Sequence, residues 1–102
     1  MRTTPSHALI SVYDKRGVVD LARLLVARGI HLLSSAGSAD HLRRHGLDVI
    51  EVSSYTGFPE IMGGRVKTLH PFVHGGLLAR TADREVLRQH GMVSIDWLIV
   101  NL

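Results

Sequence analysis

The sequence contains no cysteine and few aromatic residues among its 102 positions. Without cysteine, disulfide bonds, thiolate zinc sites and cysteine nucleophiles are excluded, and the composition fits a reducing compartment. No apolar run approaches the roughly 20 residues that a membrane-spanning helix needs. The N-terminal residues also lack the apolar segment of a signal peptide. The sequence therefore predicts a soluble, cytoplasmic protein that does not enter a membrane.

The charge is modest and not concentrated in any one segment. Twelve Lys and Arg face nine Asp and Glu, which gives a formal net charge of +3, and the seven histidines are scattered. This distribution argues against a nucleic-acid-binding tail and favours a small anionic ligand. The length suits one domain, and no linker or repeat divides it. We expect a polar lead-in over residues 1–7 and a single domain over residues 8–102.

Short apolar runs alternate with helical patterns along the first half of the chain. The order β-α-β-α-β over residues 8–52 predicts parallel strands joined by crossover helices, which is an α/β fold. Strands are predicted at 8–12, 30–33, 49–52 and 95–100, and helices from Val18 to a stop at Gly29, at 39–45 and at 82–90. The predicted N-caps of these helices are Asp14, Ser38 and Thr81.

The alternation fails after Val52. Residues 53–71 are rich in Gly, Ser, Thr and Pro, which predicts a long functional loop, with a short helix near 59–62. Residues 73–79 fit either a helix or a strand. We expect Trp97 to lie in the core.

One stretch carries most of the chemical information. It reads Gly63-Gly64-Arg65-Val66-Lys67-Thr68-Leu69-His70-Pro71 and continues to His74-Gly75-Gly76. Arg offers a planar fork of donors and Lys a compact charge, and both bind phosphate. The pattern predicts an anion site for a phosphorylated small molecule, and a solvated basic loop is the alternative.

Two turns follow predicted strands and lead into predicted helices. They cover residues 11–15 and 34–38, and ligands of open α/β sheets bind at such positions. Small and hydroxyl side chains beside a helix N-terminus favour an anion. Ordinary capping and tight turns are the alternative explanation. Neither turn matches a dinucleotide-binding or Walker motif.

The remaining polar residues give no second site. His70 and His74 have the spacing of a metal pair, but Pro71 lies between them and no H-E-x-x-H motif is present, so we expect no metal. The other five histidines are predicted to be exposed or to pack. Asp48 and Asp96 have no partner carboxylate at an obvious distance, which argues against a glycosidase-like pair.

Taken together, five blocks resemble the IMP (inosine monophosphate) cyclohydrolase domain, the N-terminal half of bifunctional purine biosynthesis proteins that also carry AICAR transformylase. The blocks cover residues 11–15, 35–38, 55–60, 64–71 and 74–80. Thr-Gly-Phe-Pro-Glu and Gly-Arg-Val-Lys-Thr-Leu-His-Pro are the specific ones. The wider methylglyoxal synthase-like superfamily shares the fold but not these blocks.

The resemblance implies a three-layer α/β/α domain with a mainly parallel sheet, and ring closure of formyl-AICAR (FAICAR) to IMP without a metal or organic cofactor. It implies a catalytic role for Lys67. It also implies that the nucleotide contacts Ser11, Tyr13, Asp14, Lys15, Ser35, Ala36, Gly37, Ser38, Arg65, Val66, Thr68 and Asn101.

Three positions depart from the family pattern, which usually has Ser at Tyr13, Gly at Ala36 and Thr at Ser38. Ala36 would be strained if it needed a positive φ, and Tyr13 would either crowd the ligand or point away. The family also has residues after its Asn-Leu-Tyr-Pro-Phe segment that belong to the site. We therefore expect residues 1–102 to form a C-terminally truncated domain with about half of such a site. We also expect the last strand to be an open edge that invites a homodimer or a missing C-terminal region.

Two other functions stay open on the sequence. A purine-nucleotide-binding or phosphate-binding module without catalysis would keep the turns and lose the chemistry. A methylglyoxal synthase would share the fold, although the specific blocks argue against it.

Overall fold

Four parallel strands form one sheet in the order β3-β2-β1-β4. The computed structural model describes residues 6–59 and 70–100. The strands are β1 (Ser6–Ser11), β2 (Ile30–Ser34), β3 (Ile50–Glu51) and β4 (Ile95–Val100). The helices are α1 (Val18–Ala27), α2 (Ala36–Arg44), α3 (Val52–Thr56), α4 (Pro71–Leu78) and α5 (Arg84–Gln89), with a 3₁₀ turn at Thr81–Asp83. The predicted α/β fold is confirmed.

Helices cover both faces of the sheet. Successive side chains of β1 point to opposite sides, so its apolar residues are buried on both faces. Ala8 and Ile10 belong to one core cluster with residues of α1 and α2, including Ala22 and Leu42. Leu9 belongs to a second cluster with Val52 of α3, Val73 of α4, Leu33 and Ile95. The two clusters make the three-layer α/β/α arrangement. β1 begins at Ser6, so the last two residues of the predicted lead-in are part of the sheet.

The start of α1 differs from the prediction. Its N-cap is Gly17, with φ of 76°, and not Asp14. The Asp14 carboxylate instead accepts hydrogen bonds from the Arg16 backbone N–H (3.1 Å) and from its guanidinium Nε (2.9 Å). These bonds hold the pKa of Asp14 below its usual value. The local Asp14–Arg16 pair therefore replaces the expected cap.

α2 begins three residues earlier than predicted. Ser35 is its N-cap, and the Ala39 N–H already donates to the Ser35 carbonyl at 2.8 Å. Ser38 was the wrong choice of cap because it lies inside the first turn of the helix. Residues 36–38 are therefore helical and do not form a loop before the helix.

The middle of the chain is more helical than the sequence suggested. β3 has only two residues, and Val52, predicted as strand, begins α3. Residues 71–78 form a helix, which settles the open choice, because Pro71 fits the first helical position and the His70 ring accepts a hydrogen bond from the Phe72 N–H at 3.0 Å. Most of the short helix predicted near 59–62 lies outside the described residues.

Thr81 does not cap the last helix. Asp83 accepts hydrogen bonds from the Arg80 backbone N–H (2.8 Å) and from its guanidinium, which also lowers the pKa of Asp83. The segment predicted as one helix is therefore a 3₁₀ turn followed by α5.

β4 is an edge strand among the strands that the structure describes, as expected. It pairs with β1, and its side chains Trp97, Leu98 and Val100 are 47%, 54% and 48% exposed. The prediction of Trp97 as a core residue was wrong, because at the edge neither face of β4 is fully covered by a helix.

Tyr55 joins α3 to the segment before β4. Its hydroxyl accepts a hydrogen bond from the Val93 N–H at 2.8 Å, and its ring packs against Phe72 with centroids 5.3 Å apart. Burial raises the pKa of Tyr55, and the bond from Val93 offsets part of that rise. α3 is therefore anchored to two other parts of the same face.

We expect Tyr55→Phe to be less stable than the wild type by about 1 kcal/mol at pH 7, because the Val93 N–H loses its acceptor. The difference should shrink at alkaline pH. A tyrosine with a raised folded-state pKa contributes stability below its unfolded value of about 10 and loses it as pH rises through the folded value. Urea unfolding of both proteins at pH 7 and pH 11 measures this, and a difference that stays constant would contradict the assignment.

Within residues 6–59 and 70–100, no helix has the length and apolar character needed to cross a membrane.

Candidate functional site

The turns that follow β1 and β2 lie against each other at the carboxyl end of the sheet. The Ser38 hydroxyl accepts a hydrogen bond from the Val12 N–H and donates one to the Val12 carbonyl, each at 3.1 Å. Ser38 is 1% exposed, so both bonds are shielded from water. The Ser35 N–H also donates to the Ile10 carbonyl at 3.3 Å. This end of the sheet includes the 11–15 turn, the start of α2, and α3. We call it the carboxyl rim.

Ser38→Ala should cost about 1–3 kcal/mol of unfolding free energy, because it removes both bonds and leaves the Val12 N–H and carbonyl buried without that partner. Ser38→Thr keeps the hydroxyl and should retain most of the stability. Chemical denaturation of the three proteins measures the difference. Equal losses in the alanine and threonine variants would show that the hydroxyl is not what joins the turns.

The N-terminus of α2 presents backbone donors at the carboxyl rim. Its cap residue, Ser35, makes no side-chain capping bond, so its hydroxyl does not satisfy the backbone N–H groups of Gly37 and Ser38. Gly37 is exposed, and a methyl group built on it would meet nothing within 4 Å. The helix dipole adds partial positive charge here. The start of α2 can therefore accept a phosphate or carboxylate group.

A cavity of about 540 Å³ opens beside this helix start. Ala36 of α2 lines one side, and Ser53, Ser54, Gly57 and Pro59, in and after α3, line the other. Its volume falls within the range of about 300–1,000 Å³ typical of small-molecule sites. The cavity is large enough for a ligand that extends beyond a phosphate group.

The departures at Tyr13 and Ala36 do not obstruct the cavity. Tyr13 is 96% exposed, so its ring points into solvent. Ala36 is a helical residue, so its methyl group carries none of the strain of a positive φ. Among the described residues, neither side chain fills the cavity beside the start of α2.

The other predicted site residues of the 11–15 turn differ in burial and in hydrogen-bond partners. Ser11, at the end of β1, is half-buried. The Lys15 ammonium donates to the Val12 carbonyl at 2.8 Å and to the Tyr13 carbonyl at 3.3 Å, so in this structure it stabilises its own turn. Asp14 is paired with Arg16. The structure therefore brings residues 11–15 and 35–38 together but does not direct every charged group into the cavity.

Five predicted site residues lie outside the described residues. They are Arg65, Val66, Lys67, Thr68 and Asn101. Their expected roles remain predictions. His70, beside that segment, caps α4. Across the described parts of the chain, no group of three or more His, Asp or Glu side chains could hold a metal ion.

Ser53 and Ser54 were not among the sequence-predicted site residues. They line the cavity because Val52 begins a helix at the point where a third full strand was expected. The sequence feature that could have identified them is a pair of hydroxyl residues directly after an apolar run. The other two predicted turns also follow apolar runs directly.

A second cavity, of about 590 Å³, lies at the opposite end of the sheet. It lies where β3 pairs only with the last residues of β2, so that Ile30 and His31 have no pairing partner in β3. Arg43 in its wall already donates to the Glu51 carboxylate and to the Val49 carbonyl, both at 2.8 Å. This cavity is a gap beside a short strand, and the Arg43 guanidinium in its wall is already engaged.

The sequence is similar to a family model and to curated proteins from Xanthomonas. A family model described as MGS-like domain matches residues 17–102. The bifunctional purine biosynthesis protein PurH of Xanthomonas euvesicatoria pv. vesicatoria (strain 85-10) is 58% identical over 97 residues, which are 94% of this chain and 18% of that protein. PurH of Xanthomonas oryzae pv. oryzae (strain PXO99A) is 57% identical over the same shares. The chain thus spans less than a fifth of the length of these curated relatives.

A solved structure, the crystal structure of ForH, superimposes with a TM-score of 0.84 at 34% sequence identity. The match covers 97% of this chain and 53% of that chain. The likeness therefore includes the carboxyl rim as well as the sheet.

Proposed function

Because the chain belongs to the MGS-like domain family, we propose that it acts in purine biosynthesis, as the nucleotide-binding part of an IMP cyclohydrolase site. The observation that carries the proposal is the pairing of the 11–15 turn with the start of α2 through Ser38 and Val12. It gathers two of the three sequence blocks expected to bind the nucleotide at one rim. The identity to proteins named bifunctional purine biosynthesis protein supports the choice of ligand.

In this proposal the phosphate of the nucleotide lies at the start of α2. The backbone donors there and the dipole of α2 stabilise the negative charge. The cavity between Ala36 and α3 then receives the rest of the nucleotide. The third block contains Arg65 and Lys67, whose positive charges we expect, from the sequence, to bind the same phosphate.

The reaction depends mainly on how the two reacting groups of the substrate are positioned. The carboxamide nitrogen of FAICAR attacks the formyl carbon of the same molecule, which forms a carbon–nitrogen bond and turns the formyl oxygen into an oxyanion. The attacking carboxamide nitrogen gives up one of its two protons, and the former formamide nitrogen gives up its only one. The oxygen takes up both protons and leaves as water, and a double bond forms between the formyl carbon and the former formamide nitrogen. A site that holds both groups in contact supplies much of the acceleration, and a cation such as Lys67 stabilises the oxyanion.

The direct test mixes FAICAR with the protein and follows IMP formation by absorbance, with IMP binding measured by calorimetry alongside. Turnover that Lys67→Ala lowers by about 10²-fold or more supports the full proposal. Binding of IMP without turnover supports a nucleotide-binding module instead. Absence of both, in this chain and in a longer chain that continues the sequence, rejects the proposal.

A further inference from the structure

Two adjacent hydroxyl groups in the cavity wall are not used by the fold. Neither Ser53 nor Ser54 makes a side-chain hydrogen bond to another described residue. Thr56, on the same helix, is different: its hydroxyl accepts from the Phe58 N–H at 3.1 Å and so closes the turn after α3. The fold therefore uses the Thr56 hydroxyl of α3 and leaves those of the two serines that line the cavity.

These hydroxyls are the polar side-chain groups that the described cavity wall contains. The other lining residues, Ala36, Gly57 and Pro59, contribute only carbon and backbone atoms. A hydroxyl can both donate and accept a hydrogen bond, so this pair suits a ligand that carries donors and acceptors beyond its phosphate. An apolar ligand would leave both hydroxyls without partners.

α3 holds the two serines in a fixed position. Val52, directly before them, is 1% exposed and belongs to the core. The Tyr55 hydroxyl binds the Val93 N–H at 2.8 Å, and the Gly57 N–H donates to the Ser53 carbonyl at 2.9 Å. A short helix anchored at both ends gives its side chains the rigidity that selective binding requires.

The two hydroxyls belong to residues that line the cavity, they make no hydrogen bond to another described residue, and α3 holds them in place. We propose that Ser53 and Ser54 select a nucleoside monophosphate over a sugar phosphate of the same charge. This inference rests on the proposed function, because it assumes that the phosphate lies at the start of α2. The phosphate group then supplies affinity that both ligand classes share. The serine hydroxyls bind the polar edge of the purine base, which a sugar phosphate lacks.

Calorimetry with IMP and with ribose 5-phosphate tests the inference on the full chain. We expect the double variant Ser53→Ala, Ser54→Ala to weaken IMP binding about tenfold, as expected for the loss of two modest hydrogen bonds. Ribose 5-phosphate should bind to the variant as it binds to the wild type. Ser54→Thr, which keeps a hydroxyl, should restore part of the IMP affinity when it is combined with Ser53→Ala.

The matched control is Thr81→Ala, because Thr81 is an exposed hydroxyl residue in the 3₁₀ turn, beside a separate small cavity lined also by Ser94 and Asp96. It should change neither affinity. Unchanged IMP affinity in the double variant, or an equal loss for both ligands, overturns the role of the serines while the proposed function stands. A wild type that binds neither ligand overturns both. Thermal unfolding of each variant confirms that the fold is intact.

Discussion

Gly76→Ala is expected to destabilise the protein by about 2–3 kcal/mol, which is in the range for overpacking a core. A Cβ atom on Gly76 would lie 2.6 Å from the Val93 carbonyl oxygen and 3.0 Å from Ile95 Cγ1. The first neighbour is backbone and the second belongs to the core, so neither can move cheaply. The loss is net of the roughly 1 kcal/mol that a helical Gly-to-Ala change normally gains.

Gly75→Ala is the matched control for this prediction. A Cβ atom there would meet Met92 Cε, but that atom is the end of a flexible side chain that can turn away. For a domain of this size, the Gly76 variant should melt roughly 10 °C or more below the wild type, and the Gly75 variant should stay much closer to it. If both variants lose the same stability, close packing of α4 on the start of β4 is not the reason for the glycine.

The Gly76 geometry also explains part of the motif that dominated the sequence. The block His74-Gly75-Gly76 follows the basic stretch, and the sequence pattern predicts one anion site that includes both. In the structure Gly76 is buried and lets α4 approach Val93 and Ile95. Its absence of a side chain serves packing, and a single sequence does not separate that role from ligand contact.

The strands could be predicted because a buried parallel strand is a continuous apolar run. Residues 30–33 were assigned correctly for this reason, and every position of β2 except His31 is buried. The exposure of Trp97 could not be predicted, because it depends on β4 being an edge strand. Strand order is a property of the whole sheet and is absent from the local pattern.

Helix starts were the weaker part of the prediction, since several residues compete as caps. Ser35 and Ser38 are both good capping residues, and the choice between them depends on Val12, which lies 26 positions from Ser38. That contact forms only when β1 and β2 pair. The same contact is what joins the two predicted turns, so the sequence predicted the site's components but not how they are held together. The cavity residues Ser53 and Ser54 were missed because a strand was expected to continue through Val52.

The start of α2 allows a prediction in which stability and binding change in opposite directions. Gly37→Ala should raise the unfolding free energy by about 0.5–1 kcal/mol, because alanine is the better helix former. Nothing in the fold requires glycine at this position: φ is not positive, and a Cβ atom meets no neighbour within 4 Å. A structural role for this glycine therefore predicts only a gain in stability.

Phosphate binding requires the opposite response from Gly37→Ala. Side chains of a helix tilt towards its N-terminus, so the new methyl group would project to where an anion approaches the first N–H groups of α2. We expect the affinity for IMP and for ribose 5-phosphate to fall about tenfold or more, a loss of about 1.4 kcal/mol. Gly75→Ala adds a methyl group on a different helix and should leave both affinities unchanged. A stabilised Gly37 variant that binds both ligands as well as the wild type would show that the phosphate does not lie at the start of α2. Since the serine pair on α3 is positioned relative to that phosphate, this one variant tests the orientation of the ligand in the whole carboxyl rim.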